Sequence, residues 1–221
     1  LSEACGMEVA LENDAAAAAV AERLFGAGHA IAHFCMLYFG TGIGLGMIHD
    51  GAPYRGAFGN AGEIGHVPVV PSGRLCPCGQ HGCLERYASL HALHEKFDQS
   101  GRERPQISEI EGLFLTGDKV VEEWIGEAAA HLATVIGLLE NIFDPETIIF
   151  SGAFSDSVMD AVIARLPPLP PSVAARAGRT QPRVMRGQTG QYTAALGAAA
   201  LPLFEILTPK LETSPSEQQV A

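Results

Sequence analysis

HVPVVPSGRLCPCGQHGCLE, residues 66–85, is the stretch from which the rest of the sequence is read. Cys76, Cys78 and Cys83 fall within eight residues, and His66 stands ten residues before the first of them. Three thiolates and an imidazole are a donor set suited to tetrahedral zinc. Pro71, Gly73, Pro77, Gly79 and Gly82 let the backbone turn tightly around one ion. His81 is a rival to His66 as fourth ligand. With either histidine the four protein ligands close the coordination sphere, so the expected zinc is structural and offers no open position to a substrate. Glu63 precedes His66 by three residues and Glu85 follows Cys83 by two, so closing the knot draws two carboxylates toward one place. A reduced, metal-free loop or a disulfide fits the same cysteines. Five cysteines without a secretion signal, however, point to a reducing compartment, where this spacing means metal more often than a bridge.

Composition bounds the function. The 221 residues are 47% apolar, enough for one sizeable core. No apolar run reaches bilayer length without a charge, Gly or Pro, so no membrane partner is expected and the cytoplasm is the expected location. A net charge of −11 argues against nucleic-acid binding by this piece, since phosphate contacts need a basic face. The chain opens at Leu1 without Met and reads as a piece whose natural N-terminal part precedes it.

Along the chain, residues 7–12 (MEVALE) read as a short strand, and the alanine-rich segment after Asn13-Asp14 as a helix with Glu22-Arg23 polar and Gly26 or Gly28 as its stop. Asn13 or Asp14 can cap that helix, and a carboxylate at such a strand-to-helix corner is equally where α/β sites collect. Residues 33–40 (HFCMLYFG) read as a strand leading into Gly40-Thr41-Gly42-Ile43-Gly44-Leu45-Gly46 and a second strand. Glycine at every second position weakens a strand, so this hairpin is expected to let an anion approach the backbone. It is neither a dinucleotide fingerprint, because no helix follows, nor a Walker loop, because the Lys is missing. Residues 51–62 form a Gly-rich loop. Helices are expected over 85–97, 108–115, 118–143 and about 156–166, and a last one over 191–207 broken at Pro202. Strands are expected at 147–152 and 182–187. The apolar positions of 118–143, including Trp124, read as core. A polar tail, 208–221, reads as mobile.

The segments ENDAAAAAVAE, GTGIGLG, AGEIGH, CPCGQHGCLE, NIFDPETIIFSG and ALGAA, in this order from about residue 7 to 207, resemble the ROK family of repressors and sugar kinases. The resemblance implies the actin-like (ribonuclease H-like) α/β fold, here the second lobe only, as one unit over 1–207. By that resemblance Asp14 is the catalytic base toward a sugar hydroxyl, and Asn13, Glu63, His66 and Glu85 are sugar contacts. Thr41, Gly42 and Gly44 lie near a transferred phosphate, and His66, Cys76, Cys78 and Cys83 hold zinc. ATP and Mg²⁺ are implied only for a kinase. DNA is implied only through a further domain of a regulator, and a homo-oligomer is implied for either. The chemistry is coherent: carboxylates accept charge-assisted bonds from vicinal hydroxyls, and a zinc-bound imidazole keeps its second nitrogen for a ligand.

Two readings follow. Asn13-Asp14 and the GTGIG hairpin favour a sugar kinase. Ser151 in the turn after TIIF, where family kinases carry paired glycines, and the bulk of Leu45 in the hairpin favour the sugar-sensing domain of a regulator, which is the preferred reading. A purely structural scaffold, with the carboxylates bracing the knot, is a third. Lacking the first phosphate loop, the piece alone is expected to transfer no phosphate and to bind sugar weakly.

Overall fold

A computed structural model of the chain describes residues 1–173 and 178–207. Its strands are β1 (Phe34–Phe39), β2 (Ile43–His49), β3 (Ala52–Pro53), β4 (Thr147–Gly152) and β5 (Val184–Arg186). Its helices are α1 (Ser2–Cys5), α2 (Asp14–Phe25), α3 (Glu85–Ala88), α4 (Leu90–Gln99), α5 (Ile107–Leu115), α6 (Lys119–Phe143), α7 (Asp156–Ala164) and α8 (Thr193–Leu207).

The five strands make one mixed sheet in the order β3-β2-β1-β4-β5. β1 runs antiparallel to β2, with Phe34 opposite Ile48 and Phe39 opposite Ile43. It runs parallel to β4, with Phe34 opposite Thr147 and Phe39 opposite Gly152. The unbroken apolar run of β1 is explained by burial on both faces. Phe34 and Met36 pack toward Ala18 and Ala19 of α2, whereas Cys35, Leu37 and Phe39 join the larger core on the other side with Leu132 and Ile136 of α6. α6 behaves as its periodicity demands. Trp124, Ile125, Ala128, Leu132, Val135, Ile136 and Leu139 are all buried, and Trp124 stacks on Phe154 with ring centroids 5.0 Å apart. Asp118 caps its start by accepting from the Val120 and Val121 N–H groups, and Asp144, in the left-handed conformation, ends it just before Pro145.

The alternating glycines of β2 have a packing reason. A Cβ on Gly46 would lie 2.2 Å from the Ala15 carbonyl oxygen and 2.6 Å from the Ala19 methyl, and one on Gly44 would lie 2.8 Å from the Ala15 methyl. Both glycines let the first turn of α2 lie directly on the sheet, which sets Asn13 and Asp14 at the mouth of the hairpin. Gly46→Val is therefore expected to lower stability by about 3 kcal/mol, although valine's strand preference alone favours it by up to about 1 kcal/mol. Urea unfolding read by circular dichroism decides the sign; an unchanged or raised midpoint would refute the close-approach explanation.

Several expectations change. Residues 7–12 are not a strand: the segment is irregular, and its Glu12 is held by Arg55 at 2.5 Å. The sheet edge on that side is the two-residue β3, which already pairs with β2 and extends no ladder to it. The helix expected over 85–97 is two helices. Ser89 adopts an extended conformation, donates its hydroxyl to the Glu85 carbonyl at 2.7 Å and caps α4 by accepting from Ala92 N–H. α8 runs through Pro202 instead of breaking there, because Leu201 and Phe204 are anchored against Val20 of α2. Leu45 adds no bulk to the hairpin mouth, since its side chain sits in the larger core. Glu22, of the polar Glu22-Arg23 pair, is buried, as described below. The expected tail 208–221 lies outside the described residues.

Candidate functional site

At the C-terminal end of β1 the chain forms a cleft of about 150 Å³. It is lined by Asn13 and Asp14 from the start of α2, Tyr38, Gly40, Gly42, Ile43 and Gly44 from the β1–β2 hairpin, Gly62 and Glu63 from the loop after β3, and Glu85 from the start of α3. Four of the anticipated side chains thus meet in one place. Thr41 does not line the cleft; its carbonyl accepts from His91 N–H at 3.1 Å, which docks the hairpin tip on α4. His66 stands behind Glu63, its Nε2 3.9 Å from the Glu63 carboxylate.

The local structure explains the positions. Asn13 is the cap of α2: its side-chain oxygen accepts from Ala15 N–H at 2.9 Å and Ala16 N–H at 3.3 Å. That leaves its amide NH₂ as a donor. Asp14 accepts from Ala15 N–H at 2.8 Å through one oxygen, so its second oxygen has acceptor capacity to spare. Gly62 holds the third wall. With φ at +105°, its absent Cβ would lie 2.0 Å from the Leu45 carbonyl, and its own carbonyl accepts from Leu45 N–H at 3.0 Å and from Ile64 N–H at 2.7 Å. Gly42 is equally constrained, because a Cβ there would meet the Glu85 carboxylate at 2.3 Å. Tyr38 was not anticipated. Burial, and then the negative charge of Asp14, raise its phenol above the ordinary value. The available signal was its place two residues before Gly40, on the same face of the strand.

His66, Cys76, Cys78 and Cys83 form a second cluster, with one donor atom from each within 4.8 Å of the others. The Cys78 and Cys83 sulfurs are 3.7 Å apart, and Cys76 Sγ is 3.6 Å from His66 Nδ1. Around a tetrahedral ion with zinc bond lengths, sulfur–sulfur and sulfur–nitrogen edges measure about 3.8 and 3.6 Å. The sulfurs are too far apart for a disulfide, and all five cysteines are free. His81 takes no part: its Nδ1 is 3.0 Å from the Gly73 carbonyl. In the absence of a cation, burial and then the neighbouring sulfurs push Cys83 up to about 12, while a backbone bond at Gln80 lowers Cys78. Backbone turns frame the cluster, with Val69 and Val70 N–H on the Gly82 carbonyl and Cys76 N–H on the Gln80 carbonyl. Glu63 and Glu85 flank it, so one small knot sets two walls of the cleft.

The turn after β4 is organised differently. Glu22 of α2 is fully buried and accepts from Ala27 N–H at 2.8 Å, Gln188 N–H at 2.9 Å and Thr189 N–H at 3.0 Å, and from the hydroxyls of Thr189 at 2.5 Å and Ser151 at 3.3 Å. The cavity beside Ser151, Gly152, Phe154 and Gly187 measures only about 10 Å³. Arg186, which also lines it, is pinned to Asp156 at 2.7 Å and Asp160 at 2.8 Å.

This mixed sheet with its hairpin cleft is a ROK sugar-kinase-like α/β fold, consistent with the actin-like class. The ROK family profile matches residues 1–204, and the chain belongs to the ROK family. It is 36% identical over 168 residues to a glucokinase of Streptomyces coelicolor, covering 68% of this chain and 53% of that protein. It is 30% identical over 201 residues to the DNA-binding transcriptional dual regulator NagC of Escherichia coli, covering 86% of this chain and 48% of that protein. The chain spans about half the length of the curated relatives it matches. Among solved structures, a Streptomyces griseus ROK glucokinase in complex with glucose and AMPPNP superposes with a TM-score of 0.76 at 30% identity, over 90% of this chain and 70% of that one. A ROK transcriptional regulator, a homologue of the Escherichia coli MLC protein, gives 0.73 at 27%, over 91% and 53%. Among the described residues no helix is long and apolar enough to cross a membrane.

Proposed function

We propose that the chain is the sugar-binding effector domain of a ROK-family transcriptional regulator, with a structural zinc held by His66, Cys76, Cys78 and Cys83. The contrast between the two ends of the site carries this reading. The polar cleft of about 150 Å³ has room for ring hydroxyls. The cavity at the turn after β4, about 10 Å³, has room for little more than one water. A nucleotide there would displace Arg186 from two carboxylates, Asp156 and Asp160, and no phosphoryl step is assigned. In the cleft, Asp14, Glu63 and Glu85 accept from hydroxyls in charge-assisted bonds and Asn13 donates its amide. When bound, zinc supplies a clamp that holds Glu63 and Glu85 at a fixed spacing. His66, with Nδ1 turned to the sulfurs and Nε2 toward Glu63, orients that carboxylate. DNA binding belongs to a further domain, and a homo-oligomer is the expected assembly.

A sugar-kinase piece is the second reading, favoured by Asp14 standing beside Gly42 and Gly44 in the same cleft. Amide chemical shifts of the chain, followed during separate additions of hexoses, N-acetylhexosamines and Mg-ATP, separate the two. The expected result is sugar-dependent shifts at Asp14, Gly62 and Glu85, with Ser151 to Phe154 and Gly187 unmoved by Mg-ATP. Saturable Mg-ATP shifts at that turn would favour the kinase.

A further inference from the structure

At the opposite end of the sheet from the cleft, the β1–β2 hairpin carries a second cluster of metal-ligating side chains. His33 precedes β1 and His49 ends β2, next to the paired Phe34 and Ile48. The antiparallel register therefore brings the two rings together, with centroids 4.9 Å apart. Asp50 follows with a positive φ of 50°, a conformation uncommon for a side-chain-bearing residue. It returns the carboxylate to both rings: His33 Nε2 lies 3.2 Å from Oδ1 and His49 Nε2 3.4 Å from Oδ2.

We propose that His33 and His49 bind one exchangeable transition-metal cation of the zinc or nickel type through their Nδ1 atoms, with Asp50 as the carboxylate behind them. A carboxylate can only accept, so Asp50 favours the Nε2–H form of both imidazoles. That choice leaves an acceptor pair on each Nδ1; the two atoms lie 3.3 Å apart, and His33 Nδ1 also accepts from Asp50 N–H at 3.4 Å, a bond that an incoming metal replaces. Two lone pairs at that distance repel unless a proton or a metal ion sits between them. Two nitrogens on tetrahedral zinc stand about 3.3 Å apart, the spacing these two atoms already have. A carboxylate on the outer nitrogen of a ligating histidine also fixes tautomer and orientation. One donor from each of the three residues lies within 4.8 Å of the others. The protein supplies fewer ligands than at the cysteine cluster, so water completes the sphere and the ion exchanges. The chain's charge of −11 adds long-range attraction for any cation.

The test uses untagged chain whose cysteine cluster is already saturated with zinc. Zinc is titrated in by calorimetry at pH 7.5, where imidazoles are largely unprotonated. The expected result is a second, weaker binding event near one equivalent, micromolar in affinity. It weakens at least about tenfold in His49→Ala and in His33→Ala. His49 is mostly exposed, so its variant keeps the fold and decides the matter even if His33→Ala does not fold. Cobalt gives a second readout: thiolates produce an intense near-ultraviolet charge-transfer band, and the second equivalent should add only weak visible bands. Absence of a second event in the wild-type chain, or a second event untouched in His49→Ala, would overturn the proposal and leave a proton as the only cation shared by the rings.

Discussion

Cys78→Ser is expected to strip the chain of its metal and to lower its melting temperature by about 10 °C or more, the scale that loss of a structural metal produces in a chain of this size. The choice of residue makes the result interpretable. Cys78 is exposed, so exchanging sulfur for oxygen there removes little packing. The same exchange at the buried Cys83 would mix lost burial with lost coordination. Besides the ion, the segment is held by turn hydrogen bonds and by Arg74, which reaches the Arg86 carbonyl at 2.7 Å and Glu127 at 2.8 Å. Within residues 66–83 the extended contacts are two isolated bridges, Pro68 with Cys83 and Leu75 with His81, and Leu75 is largely exposed. Gly82 is the tightest point of the knot, since a Cβ there would lie 1.8 Å from the Val70 carbonyl. With the ion gone, nothing draws the sulfurs together, and the turns must hold the segment themselves. Elemental analysis should give close to one zinc per wild-type chain and none in the variant. A metal-free wild-type preparation that melts at the same temperature as the loaded one would refute the structural role.

The chemistry-bearing stretches were legible in the sequence where the signal is local. The long apolar periodicity of α6, the continuous run of β1 and the crowded cysteines each fix a structure through neighbours a few residues away, and each lies where that reasoning puts it. The unread parts depend on distant partners. Glu22 looks like one member of a polar Glu-Arg pair, yet it is buried because Gln188 and Thr189, more than 160 residues later, present their N–H groups to it. That Gly44 and Gly46 also make room for α2 shows only once the helix is laid across them. Ser151, expected to face the nucleotide turn, instead directs its hydroxyl to Glu22. His33 and His49 meet only through strand register, which a single-sequence reading does not supply. The cleft was the legible part of the site because the family order names its carboxylates; the closed turn after β4 was not, because closure is made by Arg186, Asp156 and Asp160 from separate elements.

Asp14→Asn is expected to remove detectable sugar binding from the chain while leaving the fold intact. The fold survives because Asn13 remains the helix cap, and the carbonyl of Asn can accept from Ala15 N–H as Asp14 does now. A weak millimolar complex corresponds to only about −4 kcal/mol. Loss of one charge-assisted bond, at the low end of its range because Asp14 is exposed here, removes about 1.5 kcal/mol and hence weakens binding about tenfold. That shift carries a millimolar ligand out of the measurable range. The wild-type chain should show saturable shifts at Gly62 and Glu85 with the preferred sugar, and the variant should show none at the same concentration, with its melting temperature within about 2 °C of the wild type. The same variant in the full-length protein separates the two functional readings. If the protein is a sensor, sugar no longer changes its affinity for DNA. If it is a kinase, phosphoryl transfer falls by a further 10²–10⁴-fold beyond the loss in sugar affinity, the scale of a missing general base. Undiminished sugar shifts in Asp14→Asn would remove Asp14 from the site.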